Sequence, residues 1–317
     1  MQYIRCHPGR PRGTGQDTPR LKLKYLLQLV GLSALWGGSF MLLRVASPVL
    51  GPYVLTTLRL GLASVTLFVI MRLMRHAWPL GDWPELLVLA ALSVAIPFVL
   101  FSLVALVLPA GYSALLNSTG IIFGTFFAAW MKEDTLTPRK LLGCAVGVVG
   151  VGLVVKLGPV ALTPDVLWAV AGCILAAACF GTSTSFMKRA LSRLQPLQVA
   201  AGIHALSFVV LLPPAVWTLP QAQWTPLALG IAAVLGVLTS GLAYWAHLRI
   251  LAHVTPVAAM TPMFMVPLFG VLWGHLFLGE PLGSGIYLGG ALILAASALV
   301  SGFNPWRRPL DLIDAKP

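Results

Sequence analysis

Of the chain's 317 residues, 58% are hydrophobic and only 9% charged, and the formal net charge is +12. Soluble domains carry about 25% charged residues, so an aqueous globule is excluded; the basic residues are also not gathered on one surface, as a nucleic-acid partner would require. Apolar stretches of about 18–25 residues recur along the chain, each long enough to cross a hydrocarbon core at about 1.5 Å per residue. Backbone groups in lipid must find partners within the chain, and no alternating barrel pattern is present, so the expected class is an all-α polytopic membrane protein.

Residues 1–22 hold Pro8, Gly9, Pro11, Gly13, Gly15 and Pro19 among Arg5, Arg10, Arg12, Arg20 and Lys22. That composition cannot bury enough apolar surface to order itself, and it reads as a flexible basic cytoplasmic tail. Ten spans are expected near 24–46, 52–71, 85–107, 111–131, 138–156, 165–187, 197–217, 225–248, 255–278 and 284–303, with a second tail at 304–317. Thr137-Pro138 and Thr163-Pro164 read as N-caps followed by proline in the first helical turn. Trp168, Trp224 and Trp306 read as interface anchors. The four cysteines, Cys6, Cys144, Cys173 and Cys179, show no metal or CxxC spacing, and three of them sit in apolar helices as small hydrophobes. No cofactor and no metal is expected.

The apolar region is written twice. Ala34-Leu35-Trp36-Gly37-Gly38-Ser39-Phe40 returns 144 positions on as Ala178-Cys179-Phe180-Gly181-Thr182-Ser183-Thr184. Arg59 falls on His204, Gly143 on Gly290, and Glu133 on Glu280. The two units are placed at 23–157 (spans 1–5) and 163–303 (spans 6–10). With the N-terminus inside, 18 of the 21 lysines and arginines fall on inner segments and only Lys156 in an outer loop, a strong orientation signal. Five spans per unit then make the second unit enter from the opposite side, so the repeats are inverted. Anionic inner-leaflet lipid accounts for the positive charge, and both termini are expected in the cytoplasm.

Several residues carry a family resemblance: Leu35-Trp36-Gly37-Gly38-Ser39-Phe40, Leu58-Arg59, Thr261-Pro262, Pro267 and Leu278-Gly279-Glu280-Pro281-Leu282. In order and spacing they resemble the EamA-type family of the drug/metabolite transporter superfamily, over about residues 24–303. The resemblance implies a ten-helix inner-membrane secondary transporter, often an exporter of amino acids or related metabolites. It also implies that spans 5 and 10 are peripheral while the others surround a cavity. The first repeat departs from the pattern, reading Met131-Lys132-Glu133-Asp134 where the second has Leu-Gly-Glu, and Gly120 where the second has Pro267.

The candidate cavity residues are Trp36, Ser39, Arg59, Asn117, His204, Ser240 and Tyr244, with Glu280 and Pro267 as helix-end or gate residues. Arg59 lies about 11 Å below the outer end of span 2. It either forks onto a solute carboxylate or snorkels to the interface. His204, at the mirrored depth, is a titratable contact or a packing histidine. Trp36 with Gly37, Gly38 and Ser39 marks either a local break or a close helix crossing. Asn117, Ser118 and Thr119 supply hydrogen-bonding groups in span 4, as do Thr239 and Ser240 in span 8, where Tyr244 lies one helical turn beyond Ser240. Glu133, Asp134 and Glu280 read as caps and loop anchors. No carboxylate is central in a span, which favours neutral, zwitterionic or anionic solutes over lipophilic cations.

The function expected is export of amino acids or similar small amphipathic metabolites by alternating access, with a nucleobase or drug-like solute as the alternative on the same fold. A membrane enzyme would need clustered carboxylates or histidines; His247 and His253 lie six apart with no acid beside them. No G-x-x-x-x-G-K-[ST] loop is present, so the chain has no ATP motor of its own. A passive channel is the remaining class. The partners considered are a small-molecule solute, the lipid bilayer, protons as coupling ion, and a second copy of the chain as a homodimer.

Overall fold

A computed structural model describes residues 23–157, 160–251 and 261–301. The expected tails at 1–22 and 304–317, the start of the ninth span near 255, His253 and Trp306 lie outside the described residues. Helices occupy nearly all the rest: α1 (Leu23–Leu50), α2 (Pro52–Leu73), α3 (Trp83–Val104), α4 (Ala110–Trp130), α5 (Pro138–Leu157), α6 (Pro164–Leu191), α7 (Pro196–Thr218), α8 (Pro226–Ala233, Val234–Leu242, Ala243–Leu251), α9 (Thr261–Leu278) and α10 (Ser284–Ser301). Eight helices among the described residues are long and apolar enough to cross a membrane, and Met265–Leu278 and Ser284–Val300 are shorter apolar helices.

Local chemistry explains where helices start. Gly51, at φ 80°, turns the chain between α1 and α2, and Pro52 opens α2. Thr163 Oγ1 accepts from Val166 N at 3.3 Å and Thr137 Oγ1 from Lys140 N at 3.4 Å, which satisfies amide groups that helix starts leave without partners. Three helices are irregular inside. α3 widens to a π-turn over Ala91–Ala95, α8 does so over Val234–Leu242, and α4 is interrupted at Ser118 and Thr119. The π-turns begin 143 residues apart, close to the spacing of the sequence repeat.

Packing follows the same duplication. α1 packs on α9 as α6 packs on α4; α2 packs on α8 as α7 packs on α3. The pairs α2–α7, α4–α9 and α5–α10 complete the set. The crossings are made by glycines at equivalent places. A Cβ on Gly37 would stand 2.6 Å from Phe269 Cβ and 2.8 Å from Gly270 N; on Gly181 it would stand 2.7 Å from Gly124 N and closer still to Gly120 O. α5 and α10 meet through Gly150 and Gly289, each against the other's carbonyl oxygen.

Hydrogen bonds and ion pairs between helix ends define two faces. On one, Glu280 holds the start of α4, Arg44 Nη1 donates to Ala105 O at 2.7 Å, and Gln223 N donates to Val49 O at 2.9 Å. On the other, Arg193 pairs with Asp82 (3.6 Å) and Glu85, Arg189 with Glu133 (3.4 Å), and Gln198 Nε2 donates to Ala77 O at 2.8 Å. α1 therefore ends on the Glu280 face, whereas its counterpart α6 ends on the Arg193 face.

Gly181→Ala is expected to destabilise the protein by about 1–3 kcal/mol through overpacking, because the crowded atoms are backbone. Gly152→Ala, with nothing within 4 Å of its added methyl, is expected to leave the thermal unfolding temperature in detergent unchanged. Equal behaviour of the two variants would contradict the crossing.

Candidate functional site

Arg59 sits within α2 with 5% of its surface exposed, so it does not snorkel to an interface. Its Nε donates to Ser240 Oγ at 2.5 Å and its Nη2 to Thr239 Oγ1 at 3.4 Å. The guanidinium carbon lies 3.9 Å from the centre of the Phe98 ring, a cation–π contact worth about 2 kcal/mol when desolvated. Arg59 forms no ion pair among the described residues. A buried cation held only by hydroxyls and a ring recovers part of its lost hydration but keeps its full charge.

The backbone geometry explains how two consecutive residues of α8 reach one guanidinium. Gly236 lets α8 approach α2, since a Cβ there would stand 2.8 Å from Arg59 O. The π-turn then matters. Neighbouring residues in an α-helix diverge by about 100°, and a wider turn narrows that angle, so Thr239 and Ser240 both face Arg59. Thr239 also accepts, through its carbonyl, from Trp36 Nε1 at 3.2 Å. The Trp36 ring meets His247 edge-on, with centroids 4.9 Å apart.

His204 of α7 is fully buried. Its Nδ1 lies 2.8 Å from Ala200 O. A carbonyl can only accept, so Nδ1 carries the hydrogen and Nε2 keeps a lone pair. Nε2 is buried with no hydrogen-bond partner. The ring stands edge-on to Tyr244 at 5.0 Å, and Ser93 of the α3 π-turn donates to Leu89 O at 2.6 Å.

Aromatic rings continue away from Phe98: Phe98 to Phe180 (6.2 Å), Phe180 to Phe101 (5.9 Å) and Phe101 to Phe40 (5.2 Å). Phe180 is the second-repeat counterpart of Trp36. Asn117 falls at the interruption of α4, where its Oδ1 and the hydroxyls of Ser113 and Ser118 are buried without partners. Pro267 is buried inside α9. Ser39 is buried and returns its hydrogen bond to Leu35 O at 3.1 Å.

Glu280 behaves as a cap. Its carboxylate oxygens accept from Ala110 N at 2.6 Å and Gly111 N at 3.0 Å, amides that the start of α4 leaves without helical partners, where the helix dipole favours negative charge. Its counterpart Glu133 instead pairs with Arg189. On that Arg193 face a cleft of ≈ 480 Å³ is lined by Glu85, Phe186, Arg189, Ser192 and Arg193. In the neighbouring loop, partial burial pushes the Asp134 carboxyl up, but hydrogen bonds from Lys140 and Thr135 and the Lys140 and Lys188 charges outweigh it and hold it below the usual value.

The structure links Arg59, Ser240, Thr239 and Trp36, and links His204 to Tyr244. Ser39 and Asn117 stand apart from those links. Phe98, Ser93 and His247 are members that residue patterns did not single out. Phe98 is one apolar residue among many in α3, and only the fold brings its ring under the guanidinium. Trp36-Gly37-Gly38 forms a close crossing inside an unbroken α1, so the local break considered there is not formed; the interruption falls in α4. Among the described residues no three His, Cys, Asp or Glu side chains gather.

Long apolar helices, a duplicated packing scheme and a buried polar cluster define a multi-pass membrane protein. The EamA-like transporter family matches residues 23–156 and again 167–302, and the chain belongs to that family. A probable terminal-alkyne amino-acid exporter of Streptantibioticus cattleyicolor is 26% identical over 281 residues, covering 86% of this chain and 92% of that protein. An uncharacterized transporter of Archaeoglobus fulgidus is 21% identical over 267 residues, covering 84% and 94%. The uncharacterized transporter YoaV of Bacillus subtilis is 20% identical over 290 residues, covering 90% and 99%. A solved crystal structure superposes with a TM-score of 0.64 at 14% identity, over 88% of this chain and 98% of that one, which speaks to the fold alone.

Ser240→Ala removes the shortest contact of Arg59, and hydrogen bonds to charged groups contribute about 1.5–3 kcal/mol. A lowered unfolding temperature in detergent is expected, with Ser240→Thr closer to the parent protein. An unchanged temperature for the alanine variant would mean that Arg59 is held by other groups.

Proposed function

We propose that the chain is a secondary-active transporter of small carboxylate-bearing metabolites, amino acids among them. It crosses the inner membrane ten times as two inverted five-helix repeats, with both termini in the cytoplasm. The observation that carries this reading is the buried guanidinium of Arg59, which has no acid partner among the described residues. An anion arriving there completes the site, and a guanidinium can bind a carboxylate through two parallel hydrogen bonds. Thr239 and Ser240 hold the cation while the site is empty. The Trp36, Phe98 and Phe180 rings offer apolar surface to the rest of an amphipathic solute.

Inverted repeats supply a route to alternating access, because exchanging the conformations of the two halves turns a pathway open on one face into one open on the other. The exporter among the relatives supports outward flux of an amino-acid-like solute.

Flux of labelled L-leucine into proteoliposomes, compared with uracil, tests the reading. Saturable leucine transport is expected, with Arg59→Ala lowering it by about tenfold or more, as for loss of a buried charge contact. Arg59→Lys should retain part of it. Equal loss for leucine and uracil would assign Arg59 a structural role, and non-saturating flux would favour a channel. Orientation is tested separately. Single cysteines introduced as Arg193→Cys and Pro220→Cys, with the four native cysteines replaced, should react with an impermeant thiol reagent from opposite sides. Same-side labelling would overturn the topology.

A further inference from the structure

We infer that His204 Nε2 is the docking point of a proton that travels with the solute's carboxylate, so that anion and proton bind and leave together. This rests on the reading of Arg59 as the anion contact. His204 is fully buried, its Nδ1–H is committed to Ala200 O, and its Nε2 lone pair faces no donor. Unpartnered buried acceptors are rare because each forfeits a hydrogen bond that water would have given. The Tyr244 ring meets the imidazole edge-on at 5.0 Å, and the Ser93 hydroxyl gives its hydrogen to Leu89 O at 2.6 Å.

The charges around the ring decide what can fill the vacancy. α2 presents Arg59, which meets α8 at Ser240, one helical turn from the Tyr244 ring that His204 meets. α3 presents Ser93 and Phe98; its one ionisable residue, Glu85, is at the far end, paired with Arg193. α8 presents Tyr244, and its next ionisable residue, His247, lies against Trp36. His204 is the one ionisable residue of α7, and α6, which meets α7 at their shared turn, brings only Lys188 and Arg189 near that end. No carboxylate reaches the pair from these elements.

Two cations buried side by side repel, and a carboxylate between them offsets that repulsion. The bound state then has guanidinium and imidazolium both donating to one carboxylate. The proton comes from the aqueous phase that supplies the solute, adds to the Nε2 lone pair, and returns to water when the carboxylate departs. For a monoanion the transported pair is electrically neutral. The consequence is linkage: solute binding takes up a proton, and acidifying the loading side tightens binding.

The test is calorimetric titration of the purified full-length protein with L-leucine and with N-acetyl-L-leucine at about pH 8, where a free imidazole is neutral. Running it in buffers of different ionisation enthalpy counts protons. About one proton taken up per solute is expected for both ligands in the parent protein. His204→Gln and His204→Asn should reduce that count to near zero, with weakened binding retained through Arg59. Binding without proton uptake in the parent protein, or an unchanged count in both variants, would overturn the inference while leaving the Arg59 site standing. Proton uptake with leucine alone would assign the proton to the solute amine and also overturn it. Loss of binding in both variants at parental thermal stability would mean that the ring, and not Arg59, holds the carboxylate, and would overturn the inference. Failure of the parent protein to bind either carboxylate would remove the function reading and this inference together.

Discussion

A guanidinium buried among apolar helices, with no acid beside it among the described residues, is the constraint around which the interior is arranged. Water is replaced by Ser240, Thr239 and the Phe98 face, which together neutralise none of the charge. Keeping those groups in place requires three backbone features at once. α8 must come close enough to α2 for Gly236 to lie against Arg59 O. Its turn must widen so that adjacent hydroxyls point the same way. α3 must bring Phe98 beneath the cation. Each feature is costly alone, and a charge site without counterion is a reason for all three.

The duplication supplies the frame for that site. Equivalent glycines, Gly37 and Gly181, make equivalent crossings onto α9 and α4, and π-turns occupy α3 and α8 at nearly the repeat spacing. The chemistry carried on this frame is not symmetric. Arg59 corresponds to His204, Trp36 to Phe180, and the α4 cap Glu280 to Glu133, which instead pairs with Arg189. On the transport mechanism proposed here, matched halves supply two related arrangements and the unmatched residues give those arrangements different affinities for a solute.

Much of the frame was legible in the residues. Apolar length placed the helices to within a few residues, threonine–proline pairs placed two helix starts, and the repeat offset paired Arg59 with His204 and Gly37 with Gly181. The reading of Glu280 as a helix-end anchor agrees with its two bonds to the α4 amides. Gly37-Gly38 was open to two readings because glycine serves both breaks and close crossings; the nearness of Phe269 decides for the crossing. The interruption at Ser118-Thr119 has a local cause, since Asn, Ser and Thr side chains compete for backbone hydrogen bonds. The π-turns and the place of Phe98 were not legible. A π-turn follows from helices forced into register by neighbours, and a cation–π contact between α2 and α3 depends on their crossing. Neither leaves a periodic mark in the chain.

The central claim is that an anion completes Arg59. A structure determined with saturating L-leucine bound tests it most directly. The account predicts carboxylate oxygens about 3 Å from the Arg59 guanidinium, with Ser240 sharing or yielding its place. Leucine bound elsewhere, with Arg59 still held by Ser240, Thr239 and Phe98 alone, would contradict it.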